Sequence, residues 1–290
     1  MIGVIVPDAA LQYCGALVSA LEPALGERDY DFLLTQSRSS VDVHRSSRTF
    51  ERYRVDGVIV VADLHDDTFL YEYLNRLHGH AVGLARQPTP GLPCVTIDNR
   101  LGVQMAINHL VDSGRRRIAY VGGSRGWDPD QRLRAYQACL TDAGLAHEPE
   151  LIAEDGTFPD LASGARATQR LLASAKVPSA ILYFNDEMAI GGMAVLQQHG
   201  YAVPGDIAVV GFDDIPWASY CSPSLTTVHQ PIQAMVERVI DVLINMIEGE
   251  PIQETHASLV FAPRLIVRGS TLDVSPNGPF ASTHPVTRSP

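Results

Sequence analysis

The sequence predicts an α/β fold built as two doubly wound layers, each a parallel sheet flanked by helices. Three observations carry this. Short apolar runs alternate with segments of helical length along most of the chain. Most of the runs are continuous rather than alternating in polarity, which marks strands buried on both faces. There are also too many of them for one comfortable open sheet, and the length of 290 residues suits one large or two medium domains.

Taken in order, the strands are IGVIV (2–6), DFLLT (31–35), DGVIVVA (56–62), AVGLA (81–85), CVTID (94–98), RIAYVG (117–122), AILYF (180–184), IAVVGF (207–212) and LTTVH (225–229). A first helix over about 9–26 carries Pro23, which should kink or shorten it. HRSSRTFERYR (44–54) is an exposed helix face. The segment 100–114 is a helix ending at Gly114. The segment 186–200 begins near Asp186 and stops at Gly200. The clearest helix is 231–249, with Ile232, Met235, Val236, Val239, Ile240, Leu243, Ile244 and Ile247 on one stripe between Pro231 and Gly249. From 273 onward the chain is rich in Pro, Ser and Thr and is read as a disordered tail.

The formal net charge of −11 argues against a stand-alone nucleic-acid binder, which normally shows a basic footprint. The four cysteines are widely spaced and form no C-x-x-C pair, so a reducing compartment is the simpler reading. No apolar run approaches the roughly 20 residues that span a bilayer, and MIGVIVPD has no signal-peptide pattern. The expectation is a soluble cytoplasmic protein. No P-loop and no G-x-G-x-x-G at a strand-to-helix turn occur, and no cofactor is expected. HGH at 78–80 is read as a surface turn rather than a metal site. His109 is read as a packed structural histidine, and the arginines of GRRRIAY as a solvated helix end.

In doubly wound sheets ligands bind beyond the C-terminal ends of strands. Those ends carry Asp98, Asn99, Arg132, Asn185, Asp186, Asp213 and Asp214, with Tyr13, Trp127 and Trp217 nearby. Carboxylate, amide and guanidinium groups make paired hydrogen bonds to adjacent hydroxyls, and aromatic faces cover the apolar side of a ring. The set suits a small polyhydroxylated ligand such as a sugar or nucleoside. Asp and Asn at such junctions also serve as helix N-caps. Asp186 is read as a cap, and Asn185 and Asp213 as freer to face a ligand. A competing motif is GGSRG (122–126), which matches the G-x-S-x-G nucleophile elbow. That elbow needs immediate entry into a helix, whereas RGWDPDQ follows Ser124. A relay through Asp213 and His229 has the right chain order, but nothing in the sequence brings His229 near Ser124.

VTIDNRLGVQMAINHLVDSGRRRIAYVGG, QRLRAY, ILYFNDEMAIGGMAVLQQHGYAVPGDIAVVGFDDIPWASYCSPSLTTVHQP and RLIVRGST, in that order, closely resemble the effector-binding domain of LacI/GalR-type transcriptional regulators. The resemblance spans about residues 2–271. It implies a periplasmic-binding-protein-like receptor of two parallel-sheet lobes joined by three crossovers, near 98, 230 and 260. The lobes are then 2–97 with 231–260, and 98–230 with 261–272. It implies a small-molecule effector, a sugar or sugar-like compound, in the cleft. It also implies a homodimer, and operator DNA bound through a helix-turn-helix headpiece. Only Met1 precedes IGVIVPD here, so the headpiece is read as removed from a longer protein, with a natural relative lacking it as the alternative. Ligand-binding positions carried over by motif are Arg132, Asn185 and Asp213, with Tyr13 and Trp217 lining the cleft, Gln230 at a crossover and Arg86 at a retained strand end. Two departures stand out: Leu11, Gln12 and Tyr13 replace the family's Asn-Pro-aromatic, and Ala85 replaces a polar residue before Arg86. A solute-binding protein of a sugar transporter is the alternative, and a hydrolase using Ser124 the second.

Overall fold

The computed structural model describes residues 1–38, 40–61, 80–86, 88, 91–123, 127–155, 158–174, 176–250 and 258–272. HGH at 78–80 is therefore covered only at His80, and Ser124 and the tail from 273 lie outside the described residues.

Among the described residues, two six-stranded sheets carry the fold. The first holds β1 (Ile2–Val6), β2 (Phe32–Gln36), β3 (Gly57–Val61), β4 (Ala81–Leu84), β5 (Cys94–Ile97) and β11 (Ser258–Phe261), in the order β11-β5-β4-β3-β1-β2. The second holds β6 (Ile118–Gly122), β7 (Ile152–Glu154), β8 (Ala180–Tyr183), β9 (Ala208–Asp213), β10 (Thr226–His229) and β12 (Arg264–Ile266), in the order β12-β10-β9-β8-β6-β7. The pairings are parallel except that of β12 with β10. Strands β1, β3, β4, β5, β6, β8 and β9 are buried along their whole length, as continuous apolar runs require. The chain passes from one sheet to the other after Ile97, after His229 and after Phe261, which gives the three crossovers.

Helices cover both sheets: α1 (Gln12–Gly26), α2 (Ser40–Tyr53), α3 (Asn99–Asp112), α4 (Trp127–Asp142), α5 (Leu161–Leu172), α6 (Asp186–Gln198) and α7 (Ile232–Ile247). Pro23 does not shorten α1, which runs on to Gly26. Ala20, Leu21, Ala24 and Leu25 are buried around that turn, and their burial outweighs the roughly 3 kcal/mol cost of an interior proline. The stripe on α7 is buried against α1 and the first sheet, as its spacing requires. In α2 the arginines lie outward while Val43, Ser46, Ser47 and Phe50 face in.

Two expectations about helix ends are corrected. Asp186 is not the N-cap of α6: Asn185 is, its side chain accepting from the Met188 N–H at 2.9 Å. The run of arginines after α3 is not merely solvated. Arg115 reaches across the sheet edge and donates to the carbonyls of Pro204 at 2.7 Å and Ser179 at 3.2 Å. His109 is half-buried on α3, its ring 2.8 Å from the Thr271 hydroxyl.

Candidate functional site

The strand ends of the second sheet converge on Arg132. It projects from α4, is almost fully buried, and its guanidinium lies between two rings, 3.5 Å from the centre of Phe212 and 4.6 Å from that of Phe184. Its Nε donates to Asn99 Oδ1 at 2.8 Å and its terminal nitrogen to the Phe184 carbonyl at 2.5 Å. Asn99 donates in turn to Asp128 at 2.7 Å. The arginine is thus locked at the ends of β8 and β9 by aromatic faces on the residues just before Asn185 and Asp213.

Asp213 closes β9, 3.8 Å from Arg132. Gln230 donates to it at 2.7 Å, and Tyr13, from the first turn of α1, donates to Gln230 at 3.1 Å. A continuous line of polar contacts therefore runs from α1 on the first sheet, through a crossover residue, to the strand ends of the second. Burial pushes the Asp213 carboxyl up to about 7 against the opposing pull of Arg132 and Gln230, with Asp128 and Glu187 adding to the push. Burial, then the Asp213 charge, also holds the Tyr13 phenol protonated.

Asp213 and Asp214 have φ of 115° and 58°, in the region that favours glycine. Each such residue costs on the order of 1–3 kcal/mol and persists only where its surroundings impose it. Asp186 supplies that imposition. It is fully buried and accepts from the Ile215 N–H at 2.9 Å and the Thr227 hydroxyl at 2.5 Å, which staples the turn after β9. Burial first, then Asp213, holds its carboxyl well above the usual carboxylate range. Gly211 must stay bare for this, since a Cβ there would stand 2.1 Å from an Asp186 oxygen. Asp214 is held by Arg268 at 2.7 Å and by His229 at 2.8 Å. His229 thus pairs with Asp214 rather than Asp213.

An open cleft of about 860 Å³ lies beside this line; its wall includes Leu11, Gln12, Ile232, Gln233, Asp214 and Pro216 and, of the line itself, Asp213 and Gln230 but not Tyr13 or Arg132. Tyr13, Arg132, Asp213 and Gln230 are brought together. Asn185 stands beside them, but both ends of its amide serve backbone, one capping α6 and the other donating to the Pro159 carbonyl at 2.9 Å. Trp217 is 47% exposed on the turn after β9 and does not line this cleft. Arg86 is buried past the end of β4, its stem so close that a Cβ on Gly83 would meet it at 2.7 Å. The sequence reading named Asn99 but did not select it, and missed Phe184, Phe212 and the structural part of Asp186. One signal was present: an aromatic precedes the polar residue at two adjacent strand ends, in FND and FDD.

Among the described residues no cluster of His, Cys, Asp and Glu is placed to hold a metal, and no helix is long and apolar enough to cross a membrane. A family model described as a periplasmic binding protein-like domain matches residues 107–271. The HTH-type transcriptional regulator GalR of Escherichia coli (strain K12) is 30% identical over 275 residues, 93% of this chain and 78% of that protein. The ribose operon repressor of the same strain is 33% identical over 274 residues, 93% of this chain and 81% of that one. Among solved structures, a complex of the transcriptional regulator CelR with cellobiose matches with a TM-score of 0.83 at 30% identity, over 93% of this chain and 84% of that one. With this fold, this order of strand-end residues and these relatives, the chain belongs to the LacI/GalR family of transcriptional regulators and is a periplasmic-binding-protein-like effector domain, not an enzyme.

Proposed function

We propose that the chain binds a sugar or sugar-like effector between two lobes, residues 2–97 with 231–260 and 98–230 with 261–272, and that closure of the lobes controls DNA binding. The observation that carries this is the line Tyr13–Gln230–Asp213–Arg132. It joins the two sheets through a crossover and ends in a carboxyl and a guanidinium held rigidly beside aromatic faces. Asp213 and Arg132 bind adjacent hydroxyls in paired fashion. Asn185, Tyr13 and Gln230 complete the polar set, and Arg86 approaches from the first lobe. The relatives support the ligand class, since one is a ribose operon repressor and another is bound to cellobiose. Operator DNA is reached through a helix-turn-helix headpiece outside this chain, the assembly is a homodimer, and the setting is the cytoplasm. A ligand that favours one lobe arrangement shifts DNA affinity by linkage, typically by about 1–3 kcal/mol.

The test is thermal unfolding against pentoses, hexoses, disaccharides including cellobiose, sugar phosphates and nucleosides. A ligand at a hundred times its dissociation constant adds about 2.7 kcal/mol of stability. One selective sugar raising the melting midpoint is expected. Stabilisation by nucleosides alone, or by nothing in the panel, overturns the sugar assignment.

A further inference from the structure

The carboxyl and the guanidinium of the effector site are each braced by a side chain that stands at a crossover. Gln230, the first residue after β10, donates to Asp213 at 2.7 Å. The brace on Arg132 is Asn99, the first residue of α3. It follows Asp98, where the chain leaves the first sheet. Asp98 is tied on both sides. Its N–H donates at 2.9 Å to the carbonyl of Phe261, where the third crossover begins, and its carboxyl caps α3 by accepting from the Leu101 N–H at 2.9 Å. The backbone at Asn99 is thus anchored to two crossovers at once.

The buried amide of Asn99 joins α3 to α4. Its Oδ1 accepts from Arg132 Nε at 2.8 Å, and its Nδ2 donates to Asp128 at 2.7 Å. A guanidinium has only donors and a carboxylate only acceptors, so the amide can face just one way. Arg132 is fixed in turn. Nε is held by Asn99, Nη1 by the Phe184 carbonyl, and the plane by the rings of Phe184 and Phe212. A guanidinium is a flat fork, so fixing two of its nitrogens fixes the direction of the third. Among the described residues that third nitrogen, Nη2, makes no hydrogen bond.

We propose that Asn99 is a positioning residue for the effector: it holds Arg132 so that Nη2 is presented to the ligand, and it ties that orientation to the first crossover. The inference rests on the effector site proposed above. Lobes that turn on one another do so by changing the backbone of a few element-terminal residues. At the first crossover those residues are Asp98 and Asn99, and the amide carries Arg132 with it. Gln230 does the same for Asp213 at the second. A ligand that grips Arg132 and Asp213 therefore favours one conformation of both crossovers, and with it one arrangement of the lobes.

The experiment is a double-mutant cycle read by calorimetry with ribose, cellobiose or whichever other sugar of the panel raises the melting midpoint, and by urea unfolding of the same proteins. The variants are Asn99→Asp, Asp128→Asn and the two together. Asn99→Asp alone puts a carboxylate oxygen where the amide donated to Asp128, and the repulsion pulls the brace off Arg132. Sugar affinity is expected to fall about tenfold. In the Asp128→Asn background the new carboxylate accepts from both neighbours, so the same change costs less than about twofold. Asn99→Leu, which leaves Nε without an acceptor, loses about a hundredfold if it folds. An Asn99→Asp change that costs the same affinity in both backgrounds, or none in either, overturns the inference. So does a coupling seen in urea while sugar affinity does not move, which makes Asn99 a purely structural residue. When a sugar binds wild type and the cycle fails in these ways, only the part assigned to Asn99 falls. When no sugar of the panel stabilises wild type, the sugar reading falls and the inference with it.

Discussion

The two sheets have the same strand order and unlike chemistry. Laid over one another by order, β4 of the first corresponds to β9 of the second. Both end in a residue forced into the left-handed region: Ala85 at φ 51° and Asp213 at φ 115°. The backbone turn is shared, but only the second lobe places a carboxyl on it. Around that carboxyl the second lobe has assembled Arg132, Asn99, Phe184 and Phe212, whereas the first offers the start of α1 and the buried Arg86. The difference teaches that strain at a strand end is a property of the architecture, and recognition is added to it by the side chain. On the function proposed above, one lobe supplies the groups for the ligand's hydroxyls and the other closes on it.

Three changes break or sharpen this contrast, and the largest acts on Asp213. Asp213→Ala removes charge-assisted hydrogen bonds worth about 1.5–3 kcal/mol, so calorimetry with the selected sugar should show affinity falling about a hundredfold. Unchanged affinity would mean that the second lobe does not dominate recognition. Next comes packing. The helices of the first lobe meet through large aliphatic residues such as Leu17, Leu21, Met235 and Val239. In the second lobe α5 and α6 come so close that a Cβ on Gly164 would stand 2.2 Å from the Met188 carbonyl oxygen. Gly164→Ala should therefore cost about 1–3 kcal/mol in urea unfolding, because backbone must move. The smallest effect is expected at the strand end that lacks a carboxyl. Ala85→Gly relieves the left-handed conformation, and a gain of about 0.5–1 kcal/mol is expected in the same assay. A loss would show that the methyl group of Ala85 packs usefully enough to outweigh its strain.

Most of this fold was legible in the sequence because a strand buried on both faces must be apolar throughout, and such runs are hard to mistake. What escaped was the helix α5, of twelve residues, and three short strands. β7, β11 and β12 have three or four residues each, too few to show a pattern. Of the candidate site, Asp213, Arg132 and Tyr13 were singled out from the segments that follow strands, and Gln230 by the family motif alone; the structure brings the four together. Asn185 and Asp186 exchanged parts because a helix start is set by one residue of register, and both side chains are good caps. The stacking of Arg132 between Phe184 and Phe212 was hidden for another reason. Those rings close apolar strands and look like ordinary core until the sheet is assembled.

The crossovers have a consequence for synthesis. β1 to β5 emerge from the ribosome first, yet the helix that seals one side of their sheet, α7, and their edge strand, β11, are encoded only after residue 231. The first-made sheet must wait, with Ile59, Val61, Val82, Leu84 and Val95 deprived of Met235, Val236, Val239, Ile240 and Leu243, until the whole of α3 to β10 has been translated. The half begun first is completed last. The intervening half lacks only β12 and the segment just after it when α7 appears, so it is the natural first foldon, and the first sheet is completed only when α7 and then β11 have followed it.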